Sequence, residues 1–173
     1  FAYVGSGFER KGVGPFLHAL ARRREPAWAI IAGKDKRAAA YGRLSVRLGV
    51  AGRVRFVGGV SDVRPFLAAA DAFVLPTLYD PFPNAALEAM AAGLPVVTST
   101  KCGAAEVVRE GESGFVRDAL DIGGLAGCLD RLDPATARRM GEAAREAVSP
   151  LTPEAMGREY LALYERLLAG KLG

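Results

Sequence analysis

Short apolar runs alternate with longer segments of helical periodicity along most of the chain, and this alternation limits the possible folds more than any other feature. Runs of this length that are apolar throughout are typical of strands buried on both faces of a sheet. The strands predicted in this way are Ala2–Val4, Ala27–Ala32, Val54–Val57, Ala72–Leu75 and Pro95–Thr98, with a weaker sixth at Gly114–Val116. Strands separated by helices pair in parallel, so the sequence predicts an α/β fold.

The helical segments support one domain rather than two. Those between strands are Gly12–Arg23, Arg37–Leu48, Val63–Ala70 and Asn84–Ala92, with a short turn of helix at Ala104–Arg109. After Asp118 the strand pattern stops, and three helices follow at Ile122–Leu132, Pro134–Val148 and Pro153–Ala169. We therefore expect a doubly wound, Rossmann-like parallel sheet of five to six strands with a C-terminal helical extension. Ligands of such sheets bind beyond the carboxyl ends of the strands.

Composition and charge exclude several classes of function. The 173 residues are 50% hydrophobic and 24% charged, which is sufficient for one sizeable core. The net charge is only +4, and the longest basic run is Arg22–Arg24, so no nucleic-acid partner is expected. One histidine and two distant cysteines cannot build a zinc site or a histidine-based triad, so no metal is expected either.

The sequence also bears on where the protein works. No apolar run approaches the roughly 20 residues of a membrane span, and the segment Phe1–Gly5 lacks the charged start of a signal peptide. We expect a reduced, cytoplasmic protein. Its Arg-rich helices leave peripheral contact with the inner face of the cytoplasmic membrane as an alternative to a solvated surface. Because the chain starts inside an apolar run without Met, we expect its N-terminal portion to be missing.

The loop Gly5–Gly12 follows the first predicted strand and has the composition of an anion site. Gly5 and Gly7 allow close approach of the backbone, and Arg10 and Lys11 contribute two positive charges. The start of the next helix would add partial positive charge. The loop contains neither GxGxxG nor a P-loop lysine, so a phosphate site and a tight turn with a solvated Arg–Lys pair remain equal alternatives.

The loop and helix after the fourth predicted strand carry two carboxylates. Asp80 lies in the loop, and Glu88 lies near the start of the next helix, where Asn84 and its neighbours have free N–H groups. Carboxylates pair well with vicinal hydroxyls, so a sugar nucleotide is a suitable ligand. Taken as isolated residues, a solvated Asp in an Asp-Pro turn and an ordinary helix-face Glu are the simpler interpretation.

A resemblance to a known family gives this segment a more specific interpretation. Asp80 to Glu88 within PFPNAALEAMAAGLPVV resembles the acidic-x7-acidic motif in the C-terminal domain of retaining glycosyltransferases of the GT-B fold, in glycosyltransferase family 4 or group 1. That family includes lipopolysaccharide core, mannosyl- and sucrose-related transferases. Further segments resemble it in the same order along nearly the whole chain, and these are Gly5–Gly12, Val54–Gly58 and Gly103–Gly114 with Glu106.

The resemblance implies a role for each matching residue. Glu88 would bind the ribose hydroxyls, and Asp80 would contact the transferred sugar. Arg10 and Lys11 would hold the diphosphate and stabilise it as leaving group, so Arg10, Lys11 and Asp80 are the implied catalytic residues. The other implied donor-binding residues are Gly5, Gly7, Val57, Gly58, Phe82, Pro83, Asn84, Ala85 and Leu87. Two departures stand out: Asp80 replaces the usual Glu, and Ser6 replaces a common Arg, whose charge Arg10 beside Lys11 restores.

The resemblance also implies what the chain as a whole does. Residues 1–173 would be the nucleotide-sugar domain of a retaining hexosyltransferase, without a cofactor or metal. The N-terminal acceptor domain would be absent, and the chain alone inactive. The acceptor would be a saccharide or glycolipid such as lipopolysaccharide core. A noncatalytic nucleotide- or sugar-binding module is the alternative, and a Rossmann dehydrogenase is disfavoured because GxGxxG is missing.

Overall fold

The computed structural model describes residues 1–170, and within them six parallel strands form one sheet. The order across the sheet is β3-β2-β1-β4-β5-β6. The strands are β1 (Ala2–Val4), β2 (Ala29–Ala32), β3 (Val54–Gly58), β4 (Phe73–Leu75), β5 (Val96–Ser99) and β6 (Gly114–Arg117). This confirms the doubly wound parallel sheet, including its weakly predicted sixth strand.

Helices connect the strands and extend beyond them. They are α1 (Val13–Arg22), α2 (Ala38–Arg47), α3 (Arg64–Ala68), α4 (Asn84–Ala91), α5 (Ile122–Asp130), α6 (Pro134–Val148) and α7 (Pro153–Leu168). The segment predicted as a short helical turn at Ala104–Arg109 is a 3₁₀ turn over Gly103–Glu106. Four residues are too few for a ladder of i→i+4 bonds, so the tighter 3₁₀ form is adopted.

The strand order places one crevice at the centre of the carboxyl edge. The sequence runs outward from β1 through β2 to β3, and then returns to β4 on the other side of β1. At such a switch point, the loops after the two central strands diverge to opposite faces and leave a cleft between them. The loops that follow β1 and β4 therefore meet at the place where the sequence predicts the ligand.

An aromatic cluster supports the first of these loops from below. The Tyr3 ring of β1 stacks on Phe16 of α1 at 6.5 Å between centroids and contacts Phe8 edge-on at 6.1 Å. Phe8 in turn contacts Tyr41 of α2 and Phe56 of β3. Tyr3, Phe8 and Phe16 are fully buried, so Phe8 anchors the loop to which it belongs in the core.

The last helix differs from the rest of the fold. Helix α1 packs against α5 and α4 packs against α6, but within the described part of the chain α7 buries none of its residues. Its exposed apolar side chains are Met156, Tyr160, Leu161, Tyr164, Leu167 and Leu168. None of the helices within residues 1–170 is long and apolar enough to cross a membrane.

Candidate functional site

The loops after β1 and β4 are joined through their backbones. The Leu78 N–H donates to the Arg10 carbonyl at 2.7 Å, and the Thr77 hydroxyl donates to the same oxygen at 2.8 Å. Gly12 has φ +79°, and a Cβ there would lie 1.9 Å from the Pro76 carbonyl oxygen. Only glycine fits such a contact, so Gly12 sets how closely the two loops approach.

Three charged side chains meet where these loops touch. The Lys11 Nζ lies 2.8 Å from the Asp80 Oδ2, and the Arg10 Nη1 lies 3.4 Å from the same oxygen. The Asp80 and Lys11 side chains are only 8% and 14% exposed, whereas Arg10 is 51% exposed. The structure thus brings together the three residues implied to be catalytic, and it contradicts the interpretation of Asp80 as a solvated turn residue.

Asp80 is also fixed through its backbone. Its N–H donates to the Lys101 carbonyl at 3.1 Å, and its carbonyl accepts from the Gly103 N–H at 2.9 Å. These bonds attach the loop after β4 to the loop after β5. Cys102 lies between the two contacts and is buried, and burial raises the pKa of its thiol. The thiol is therefore a packing group, as expected for an unreactive cysteine.

The side chains of Arg10 and Lys11 supply the full positive charges of the loop after β1. The N–H groups of Lys11, Gly12 and Val13 donate to the carbonyls of Gly7, Glu9 and Phe8 within the loop. These three backbone donors are therefore already used in this structure.

Helix α4 has an uncapped start. It begins at Asn84 after Pro83, and no side chain in the described residues caps its first turn. Glu88 is exposed on the second turn of α4. Among the ion pairs of residues 1–170, none includes Glu88, so its carboxylate is accessible to a ligand.

Two adjacent cavities connect the loop after β1 to Glu88. The first, of about 550 Å³, is lined by Gly5, Ser6, Lys34 and the Gly59–Ser61 turn. The second, of about 740 Å³, is lined by Arg64 and Glu88 among others, and the two share Ser61 and Val63. Gly5 and Glu88 therefore line two neighbouring cavities.

The remaining sequence-predicted residues do not all line these cavities. Val57 and Gly58 end β3 beside the first cavity, whose wall is formed by the turn that follows them. A separate groove of about 600 Å³ beside the start of α7 is lined by Phe82, Asn84 and Leu87. Pro83 is buried, Ala85 is half-buried, and Gly7 is exposed with φ +77°. The structure thus divides the predicted site residues among the two cavities, this groove and the cluster of Arg10, Lys11 and Asp80, which lines none of the three.

Several contacts that organise the site were not predicted from the sequence. Thr77 joins the two loops, the Ser6 hydroxyl accepts from the Lys34 N–H at 3.1 Å, and Asp35 accepts from the Phe8 N–H at 2.7 Å. Each of these contacts spans more than 25 positions, so local patterns do not reveal it. In the described residues, no three His, Cys, Asp or Glu side chains are grouped as metal ligands.

Comparison with known proteins gives one family. The profile described as glycosyl transferases group 1 matches residues 1–132. The chain is 35% identical over 163 residues to the lipopolysaccharide core biosynthesis glycosyltransferase LpsE of Rhizobium meliloti, covering 92% of this chain and 48% of LpsE. It is 37% identical over 154 residues to glycogen synthase of Mycobacterium tuberculosis, covering 85% of this chain and 37% of that protein.

Solved structures agree with this match. Sucrose-phosphate synthase from Thermosynechococcus elongatus superimposes with a TM-score of 0.83 at 32% identity, covering 98% of this chain and 45% of that one. The chain thus spans less than half the length of each of these three proteins.

Proposed function

Because the chain belongs to the glycosyl transferases group 1 family and has the fold of a GT-B C-terminal domain, we propose that it is the donor-binding half of a retaining glycosyltransferase. Its ligand is a nucleotide-diphosphate sugar, and its chemical task is to stabilise the departing nucleoside diphosphate. A second, N-terminal domain of the same protein supplies the acceptor site, in keeping with the greater length of the relatives.

The observation that carries this proposal is the group of Arg10, Lys11 and Asp80 in the crevice between β1 and β4. Transfer breaks the bond between the sugar C1 and a phosphate oxygen, and the electron pair leaves with the diphosphate. Negative charge therefore grows on the diphosphate in the transition state. Cations fixed beside that position lower the barrier without the help of a metal or cofactor.

Asp80 and Lys11 exchange partners in this scheme. A diphosphate at the loop after β1 offers the Lys11 ammonium a new anion. The Asp80 carboxylate, released from the 2.8 Å ion pair, then accepts hydrogen bonds from hydroxyls of the transferred sugar. Asp80 suits this role because its backbone is fixed by Lys101 and Gly103 while its side chain is free to change partner.

Glu88 binds the ribose. Its exposed carboxylate lines the larger cavity, which continues into the cavity at Gly5 and Ser6. A nucleotide whose diphosphate lies at Gly5 can extend its ribose towards Glu88, and a carboxylate accepts from both ribose hydroxyls.

For the acceptor we propose a chemical class, and for the protein a cellular location. The relatives named above act, by their names, in the synthesis of lipopolysaccharide core, glycogen and sucrose phosphate, so we propose a saccharide or glycolipid acceptor. The exposed apolar stripe of α7 is a suitable contact for the N-terminal domain. A cytoplasmic location, with contact to the inner membrane face if the acceptor is a glycolipid, agrees with the absence of a spanning helix in the described residues.

Ligand-induced stabilisation tests donor binding directly. A ligand that binds only the folded protein stabilises it by RT ln(1 + [L]/Kd) and so raises its melting temperature. We expect at least one of UDP, GDP and ADP to raise the melting temperature of the intact protein, and NAD to leave it unchanged. A shift with NAD alone would favour a dinucleotide-binding protein and contradict the proposal.

The leaving-group role separates a transferase from a noncatalytic binding module. In the intact enzyme, Arg10→Ala and Lys11→Ala should lower kcat more than they weaken sugar-nucleotide binding, because their charges matter most as the diphosphate departs. Arg138→Ala is the matched control, since Arg138 is exposed on α6 far along the chain from the crevice. An unchanged kcat with only a raised KM would show uniform binding and refute the role.

A further inference from the structure

The Tyr3 hydroxyl is the one buried side-chain oxygen or nitrogen in the described residues that has no hydrogen-bond partner. Tyr3 has no exposed surface, and its ring packs on Phe8 and Phe16. A buried hydroxyl without a partner costs about 1–3 kcal/mol. Phenylalanine would make the same ring contacts without that cost, so the hydroxyl calls for an explanation.

The position of this hydroxyl points to Lys11. Tyr3 and Gly5 project to the same face, being two residues apart at the end of β1. A Cβ on Gly5 would lie 3.5 Å from the Tyr3 hydroxyl, 3.0 Å from the Lys11 Cδ and 3.4 Å from its Cε. The Lys11 stem and the Tyr3 hydroxyl thus border the same small space, which is open because Gly5 has no side chain.

Lys11 is the neighbour with hydrogen-bonding capacity to spare. An ammonium group has three donors, and in this structure its one ion pair among the described residues is with Asp80. Arg10, by contrast, is half-exposed and directs its Nη1 to the Tyr79 carbonyl and to Asp80. Burial raises the pKa of Tyr3, so its oxygen stays a neutral hydroxyl that can accept from a cation.

We propose that Tyr3 is a positioning residue for Lys11. When a diphosphate displaces Asp80 from the Lys11 ammonium, the Tyr3 hydroxyl accepts a hydrogen bond from that ammonium. The hydroxyl then holds the ammonium against the diphosphate while Asp80 turns to the sugar. This proposal rests on the proposed function, because it assumes a diphosphate at this loop. The Tyr3 hydroxyl, which has no partner in this structure, thereby gains the Lys11 ammonium as its partner when the diphosphate binds.

The test compares Tyr3→Phe with Tyr41→Phe in the intact protein. Tyr41 belongs to the same aromatic cluster, but the cation that acts on its hydroxyl is Arg37, whose positive charge opposes the rise that burial causes in the pKa of Tyr41. Melting temperatures without ligand and calorimetric Kd values for UDP, GDP and ADP are measured for both variants. Tyr3→Phe should leave the melting temperature unchanged or higher and weaken binding of the preferred diphosphate about three- to tenfold. Tyr41→Phe should leave the Kd unchanged.

A double-mutant cycle with Lys11→Met shows whether Tyr3 acts through Lys11. If it does, adding Tyr3→Phe to Lys11→Met weakens binding no further. Full additivity would mean that the hydroxyl contacts the ligand itself, and a lower melting temperature with an unchanged Kd would mean a purely structural role. Either result overturns the proposal. If the wild-type protein binds none of the three diphosphates, the proposed function fails first, and this outcome is visible before any variant is made.

Discussion

The Lys11 ammonium and the Asp80 carboxylate hold each other in a largely buried ion pair, and this governs how single substitutions at the site are interpreted. Removing one partner of a buried pair leaves an uncompensated charge, which costs about 3–5 kcal/mol. The half-exposed Arg10, 3.4 Å from the same oxygen, reduces that cost when Lys11 is removed. Kinetic effects of Lys11 variants are therefore meaningful only beside their melting temperatures.

Glu88 offers a cleaner test, because its side chain is exposed and its loss leaves no buried charge. Glu88→Gln replaces a carboxylate by a neutral amide, which offers the ribose hydroxyls one uncharged acceptor oxygen in place of two charged ones. Hydrogen bonds to charged groups contribute about 1.5–3 kcal/mol, so nucleoside diphosphate affinity should fall about tenfold or more. Calorimetry with UDP, GDP and ADP measures the change, and Glu142→Gln on the exposed face of α6 is the control. Equal affinities in wild type and folded Glu88→Gln would assign Glu88 a structural role.

The residues of the site were predictable from the sequence to different degrees. Arg10, Lys11 and Asp80 stand in loops after strands, where ligands of parallel sheets bind, and the structure brings them together. Tyr3 lies inside an apolar run, where a tyrosine looks like any core residue. Its significance depends on an oxygen without a partner, which only the three-dimensional arrangement reveals.

At the scale of elements, the glycine that joins the two central loops can be compared with one that does not. Gly12 and Gly7 both have positive φ, at +79° and +77°. A Cβ at Gly12 meets the Pro76 carbonyl at 1.9 Å, whereas a Cβ at Gly7 meets nothing within 4 Å. Gly7→Ala should therefore lose about 1 kcal/mol from backbone strain alone. Gly12→Ala should lose at least about 2 kcal/mol, because it also separates the loops. Urea unfolding measures both, and equal losses would contradict the role of Gly12 as the contact point.

The start of α6 gives a pH-dependent prediction. Hydrogen bonds from the N–H and hydroxyl of Thr136 and from the Ala135 N–H lower the pKa of Asp133 below its usual 3.8. A carboxyl whose pKa is lower in the folded state than in the unfolded state stabilises the fold at every pH above its unfolded pKa. This stabilisation is lost as the pH falls through the pKa of the folded state. Asp133→Asn should thus melt below wild type near neutral pH, and the difference should shrink below pH 3.8. A constant difference across that range would contradict a charged cap.

The elements themselves follow closely from the sequence, and the deviations have local causes. Each predicted strand exists. Strands β1, β4 and β5 are apolar because both their faces are largely buried, whereas the edge strand β3 is mostly exposed and includes Arg55. Strand β2 begins at Ala29 rather than at the predicted Ala27. Trp28 is 62% exposed and precedes the buried residues of this strand. Which strands are neighbours could not be read from the pattern, since the order across the sheet depends on long-range packing.

For the whole molecule, the contrast between the sheet and α7 is decisive. The sheet with α1 to α6 has a continuous buried core that extends from Tyr3 on β1 to Val148 at the end of α6. Helix α7 contributes nothing to it within the described residues and exposes an apolar stripe. A unit with its own core could in principle fold alone, and an exposed apolar helix face is typical of an interaction surface, which agrees with the proposed second domain.

From this contrast we expect the 173-residue chain to fold alone and to bind a nucleoside diphosphate weakly, yet to transfer no sugar. Binding needs only the two adjacent cavities and the cations at the crevice, all of which this chain supplies. Transfer also needs an acceptor hydroxyl held against the sugar and water kept out, and a single open wall provides neither. The measurement is sugar transfer by the purified chain and by the intact protein, with the same donor and acceptor, beside calorimetric binding to both. Sugar transfer by the chain alone would contradict the proposal that it supplies only the donor half of the active site. A folded chain that binds no nucleotide, beside an intact protein that does, would place part of the donor site on the other domain.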